Sequence, residues 1–182
     1  MRLQALIAIA AAISGSAQTD PVSQRDFQQL MQAAANESYS SWAPQVRTIC
    51  VQRELDAPLK LTRENPFKDN VFPSASLNKS LAAALSPKAR VGQQKTMPPL
   101  TSRFIMFSSK LPKPPQCVVE HGPTASYSAV ALTFTRPAFA NGFAFINEVE
   151  DCPGLCGNGI LRAFKKQNGK WTQVTKAILW VS

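Results

Sequence analysis

From residue 23 onward the apolar and polar positions follow a helical period. Phe27, Leu30, Met31 and Ala34 stand at i, i+3, i+4 and i+7, and Ser23 with Asp26 three residues on resembles a capping box. The pattern predicts an amphipathic helix over 24–37. Past Pro44 the period shortens to two: Val46, Thr48 and Cys50 alternate with Gln45, Arg47 and Ile49 until Asp56, Ala57 and Pro58 close the run, which predicts a strand near 45–54. Pro58, Pro66, Pro73, Pro87, Pro98 and Pro99 then remove backbone donors at intervals too short for long regular elements. One helix fits between them. Leu77, Leu81 and Leu85 share a face, Ser74 or Ser76 can cap it, and Ser86-Pro87 stops it. Residues 111–115, with Pro112, Pro114 and Pro115, read as an extended connector.

The last third alternates more clearly. Over 126–135, Val130, Leu132 and Phe134 point one way, Asn141-Gly142 is a turn dipeptide, and 143–150 alternates again, which predicts a hairpin. With a two-residue turn at 141–142, Phe134 faces Val149, and Pro137 has to sit at an edge or a bulge. A second turn at Asn168-Gly169 joins 160–166 to 170–181. Trp171 and Val174 differ in parity while Ile178 and Trp180 agree with Val174, so this hairpin requires a bulge or a longer loop. The predicted class is α+β: an antiparallel β-meander of about four to six strands, with the N-terminal helix and one further helix packed together on one face.

The first residues change the picture of where the chain resides. Arg2, an apolar run over 3–13 broken by Gln4, and Gly15-Ser16-Ala17 read as a signal peptide of residues 1–17, leaving one globular domain over 18–182. The apolar run is too short for a permanent membrane anchor, and no other run approaches the ~20 residues of a span. The expected location is periplasmic or extracellular. In that oxidising setting four cysteines read as two disulfides in preference to thiols or metal ligands. The pairing expected is Cys50 with Cys117 and Cys152 with Cys156.

The 182 residues carry 20 Lys+Arg against 11 Asp+Glu, a formal net charge of +9. From Cys152 onward Arg162, Lys165, Lys166, Lys170 and Lys176 face no acid at all. These five are candidate anion-binding residues. They carry no recognised nucleic-acid motif, so they read either as a solvated basic surface or as a site for an anionic component of the cell envelope. At 45% hydrophobic and 17% charged residues, the composition is that of a folded chain.

Between the hairpins lies Cys152-Pro153-Gly154-Leu155-Cys156-Gly157-Asn158-Gly159. With Arg136, Phe139, Asn141, Gly169, Trp171, Trp180 and Ser182, this loop resembles an uncharacterised family of small exported bacterial proteins. Their pattern has a Cys-Gly-x-Leu-Cys-Gly-x-Gly loop and a C-terminal Trp-x-Ser strand. The resemblance covers residues 126–182, with Pro153 in place of the first glycine and Ala140 inserted between Phe139 and Asn141. It implies no activity, cofactor or metal.

Several residues invite chemistry. Cys-x-x-x-Cys is one residue longer than the redox motif and lies between strands, and zinc would need His121 and Asp151 as further ligands. Gly154, Gly157 and Gly159 match neither phosphate-binding fingerprint. His121, beside Glu120, could serve as a base for Ser126 or Ser128, but no nucleophile elbow surrounds either serine. Glu148 and Glu150 share a strand face near Asp151 and read as a solvated acidic edge. No cofactor is expected. Two functions follow: an exported, non-enzymatic binding or structural module with a basic surface, or a small hydrolase-like enzyme of nuclear-transport-factor-like shape. In the second, His121 or the Glu148, Glu150 and Asp151 group would face a pocket.

Overall fold

Helix α1, Gln24–Trp42, starts where the capping pattern places it, with Ser23 Oγ accepting from the Asp26 amide at 3.0 Å. It runs past residue 37. The buried stripe of Phe27, Leu30, Met31, Ala34 and Ala35 continues through Ser38 to Trp42, and the polar Ser38 is what interrupts the apolar period in the sequence. The computed structural model describes residues 22–58, 71–87, 89–121, 128–154 and 156–181. The leader read over 1–17 lies outside them, as do Ser126, Leu155 and Ser182. Among the described residues no helix is long and apolar enough to cross a membrane.

Strand β1, Thr48–Gln52, is shorter than the predicted run and lies at the heart of one half of the sheet. Its neighbours are β3, Phe104–Phe107, and β4, Ala129–Phe134, and it runs parallel to both, with Ile49 opposite Phe104 on one side and Val130 on the other. Parallel neighbours need long crossovers. Here the crossover carries helix α2, Ala75–Ala84, and the short strand β2, Arg90–Val91. The class is therefore α+β, but the sheet is a mixed one of eight strands, and the pure antiparallel meander is corrected. Only its C-terminal half is a meander.

That half follows from two Asn-Gly turns. Asn141 and Gly142 have φ of 51° and 78°, and Asn168 and Gly169 have 49° and 76°, the left-handed pair that matches the twist of a hairpin. The first turn joins β5, Ala138–Ala140, to β6, Phe143–Cys152; the second joins β7, Cys156–Gln167, to β8, Lys170–Val181. Strands β4 and β5 lie end to end along one edge of β6, divided at Arg136-Pro137. The irregularity there shifts the register by one residue. Phe134 consequently stands opposite Glu148, and Thr133 takes the place opposite Val149 that Phe134 was expected to hold. The irregularity predicted for the second hairpin is present as register shifts at Gly159/Ile160 and Ala163/Phe164.

The two helices cover opposite faces of the sheet, not one. Alternation along β6 sends Ala144, Ile146 and Cys152 into the core beneath α1, while Phe145 packs with Leu161, Ala163 and the α2 residues Leu77 and Leu81. The face away from α1 is closed further along by the Cys50–Cys117 disulfide, where the 3-10 turn Pro115–Cys117 meets Ala131 and Phe107. The connector over 111–115 thus ends by docking on the sheet. Near the chain's end, the indole of Trp180 lies over Gly159: a Cβ there would come within 2.1 Å of Trp180 Nε1. Two residues of the motif read in the sequence are in this way one packing unit.

Two stability outcomes follow. Replacing Cys50 and Cys117 by alanine releases a bridge between residues 67 apart and should cost about 4 kcal/mol in denaturant unfolding; a loss under 1 kcal/mol would mean that the bridged loop is already confined in the unfolded chain. Gly159→Ala should cost about 1 kcal/mol because the indole has to swing away, and adding Trp180→Ala should make the alanine at 159 nearly neutral. Additive losses in the double variant would refute the contact as their cause.

Candidate functional site

The five cations of the C-terminal strands do not form one surface. Lys165, Lys166 and Lys170 are exposed around the β7–β8 turn, and Lys176 is exposed on β8. Lys166 is held by Asp26 at 2.6 Å, and Lys165 Nζ lies 5.5 Å from the Phe143 ring centre. Arg162 is the correction. Its side chain is fully buried and turned inward, so it offers nothing to an anion in solvent.

Arg162 is the hub of a buried polar network that joins four elements. Its Nε donates to Glu148 Oε2 on β6, its Nη1 donates to Gln173 Oε1 on β8 at 2.9 Å, and its Nη2 donates to Ser38 Oγ on α1 at 3.3 Å. Glu150 Oε1 stands 4.0 Å from Nη2, and Glu150 Oε2 accepts from Asn158 Nδ2 at 3.1 Å. The expected solvated acidic edge is corrected too. Glu148 is fully buried and Glu150 is 3% exposed, because β6 is paired on both edges and covered on both faces. Burial pushes the Glu148 carboxyl up to about 7, with the neighbouring Glu150 adding to the rise, while Arg162 and Ser38 hold it from going further.

Asp151 belongs elsewhere. One residue further along β6, it points to the opposite face, where Lys113 Nζ is 3.3 Å and His121 Nε2 is 3.4 Å from its carboxylate in an exposed cluster. The three acids therefore do not converge, and His121 is not near Glu148. The glycine-rich loop is tied to the same side: the Gly154 amide, at a φ of 86° that favours glycine, donates to Glu120 O at 3.1 Å, and His121 bridges to Gly154. Cys152 is disulfide-bonded, and the β6–β7 register sets Cys156 opposite it. Among the described residues no cluster of His, Cys, Asp and Glu is placed to hold a metal ion.

An open feature next to the basic hairpin involves residues that sequence reasoning did not single out for binding. Trp171 lies where β8 leaves the turn, its ring centre 6.2 Å from that of Phe139, and separates two clefts beside α1. One, of about 470 Å³, has Phe139, Asn141 and Arg90 in its wall; the other, of about 380 Å³, is walled by Gln28, Gln29, Gln32, Asn36 and Lys170. Phe139, Asn141 and Trp171, scattered in the motif, are thereby gathered at one place. The polar side of α1 carried the signal for the rest, as four amides at helical spacing. Comparison of the chain with known protein families, with curated proteins and with solved structures finds no match.

The raised Glu148 carboxyl sets a pH dependence. Below about pH 4.5 it is protonated folded and unfolded; between there and about 7 the unfolded chain has lost the proton that the folded chain retains. Its contribution to stability thus falls as pH rises through that window, by roughly 3 kcal/mol in all, and levels off above it. Glu148→Gln removes the titration. The stability of that variant relative to the wild type, measured by urea unfolding from pH 5 to pH 8, should shift in the variant's favour; a difference that stays flat would show that Glu148 is ionised throughout.

Proposed function

We propose that the protein is an exported, non-enzymatic binding module that acts in the periplasm or outside the cell on an anionic component of the envelope. The observation that carries this reading is the presentation of Lys165, Lys170 and Lys176 as exposed cations on the rigid β7–β8 hairpin, while the neighbouring Arg162 is neutralised inside the sheet. Cations held on regular strands need little ordering to meet a polyanion. The Cys50–Cys117 bridge and the oxidised Cys152 suit an oxidising compartment. In this reading the Cys152 to Cys156 loop is a structural clip, with those two residues bonded to each other. The chain then stands with the small exported bacterial proteins whose loop and Trp-x-Ser end it resembles.

The Glu148, Glu150 and Arg162 network supports a structural role more than a catalytic one. Its charges are spent on one another inside the sheet. A hydrolase would need them at a substrate, with His121 beside them.

The purified chain should be retained on an immobilised carboxylated or sulfated polymer at low ionic strength and elute as salt rises. Replacing Lys165, Lys170 and Lys176 by alanine should lower the slope of log retention against log salt by about one for each lysine. A wild-type chain that passes through unretained at low salt would end this reading, and unchanged elution of the triple variant would move the binding face elsewhere.

A further inference from the structure

The geometry points to an acidic oligosaccharide, built of uronic-acid-like sugars, as the ligand of the two clefts that meet at Trp171. This rests on the binding-module reading and names its partner. The first ground is the chemistry of the walls. Gln28, Gln32 and Asn36 follow one another at four-residue spacing along α1, so their amides line one side of the helix along the cleft. Each amide can donate and accept, as pairs of ring hydroxyls require. The Gln32 amide is fixed in place, its Nε2 donating to Asn36 Oδ1 at 3.0 Å and its Oε1 accepting from the Thr101 amide at 3.1 Å.

The second ground is the ring between the clefts. Trp171 is half-buried and packed toward Phe139, so its orientation is set before a ligand arrives, and an aromatic face of this kind takes the C–H face of a sugar. Its Nε1 and the Oε1 of Gln29, both in the wall of the amide-lined cleft, are buried with no hydrogen-bond partner. A polyol entering with a small rotation of the Gln29 amide supplies both. An acyl chain in the same place would leave the indole Nε1 and the Gln29 oxygen unpaired.

The third ground is charge. Lys170 stands in the wall of one cleft and Arg90 in that of the other, so the groove has a cation on each side of the ring, and Asp26, the acid of the second cleft, is held by Lys166. A carboxylate of the glycan meets Lys170. The lysine-bearing hairpin then serves long-range attraction, and the groove serves recognition.

The test uses the full exported chain with three probes: alginate oligosaccharides, neutral cello-oligosaccharides and phosphatidylglycerol vesicles. Alginate oligomers should bind saturably, shift the indole NMR signal of Trp171 and bind more tightly than the neutral sugars. Trp171→Ala should weaken binding about tenfold. Gln28→Ala, at an exposed position that leaves the core intact, should weaken it severalfold. If the polymer retains the chain but alginate leaves the Trp171 signal unmoved, or both variants bind as the wild type does, the groove is not the site although the module reading stands. Binding to vesicles alone overturns the inference in the same way. A chain that neither the polymer nor alginate holds loses both readings.

Discussion

Among the described residues one guanidinium is fully buried, and the elements around it are organised by it. Arg162 sits in the middle of β7 with no access to water, and the desolvation of its charge has to be offset by partners that the fold brings to it. Glu148 comes from β6, Gln173 from β8 and Ser38 from α1, so each element that packs on this part of the sheet contributes a hydrogen bond. A buried pair of this kind adds little net stability compared with an apolar core of the same shape. Losing one partner would be expensive, because the other charge would stay behind unpaired. The arrangement therefore acts as a constraint on geometry: a slip of one residue in β6 or β7 would carry Glu148 or Arg162 to the other face, against α2.

The same constraint sorts the charges of the C-terminal third. A run of five cations without an acid reads as one basic face, yet one of them is consumed inside the sheet and another, Lys166, is drawn to Asp26 at the start of α1. What is left is presented at the tip and along the outer strand of the β7–β8 hairpin. That hairpin also carries Trp171 against α1, so the attachment that keeps the helix in place creates the groove beside it. Structure and surface chemistry are here consequences of one packing arrangement.

The carboxylates show why burial changes the meaning of a residue. Glu148 and Glu150 share a face, as alternation requires, but that face looks into the protein. A strand with one wet side would have left them solvated. Around Glu148 and Glu150 strand β6 has no wet side, since β4 pairs on one edge, β7 pairs on the other, and both faces are covered. Asp151, one position on, points to the opposite face and lies in an exposed cluster with Lys113 and His121.

Local features were legible in the sequence wherever the cause was local. The cap at Ser23, both Asn-Gly turns, the need for an irregularity in the last hairpin and the stop of α2 depend on a few neighbouring residues, and each lies where the pattern puts it. The Cys50–Cys117 bridge was readable because an even cysteine count limits the choices. Features that depend on distant chain were not readable. The parallel placement of β1 between β3 and β4 rests on crossovers whose prolines hide any period, and the one-residue shift that sets Phe134 opposite Glu148 arises at the Arg136-Pro137 break between β4 and β5. A polar Ser38 in an apolar stripe, two glutamates in a strand and an arginine in the next are each ordinary surface residues by local rules. Only the tertiary structure, by closing both faces of the sheet over them, makes them partners, because burial converts four separate solvation preferences into one shared requirement.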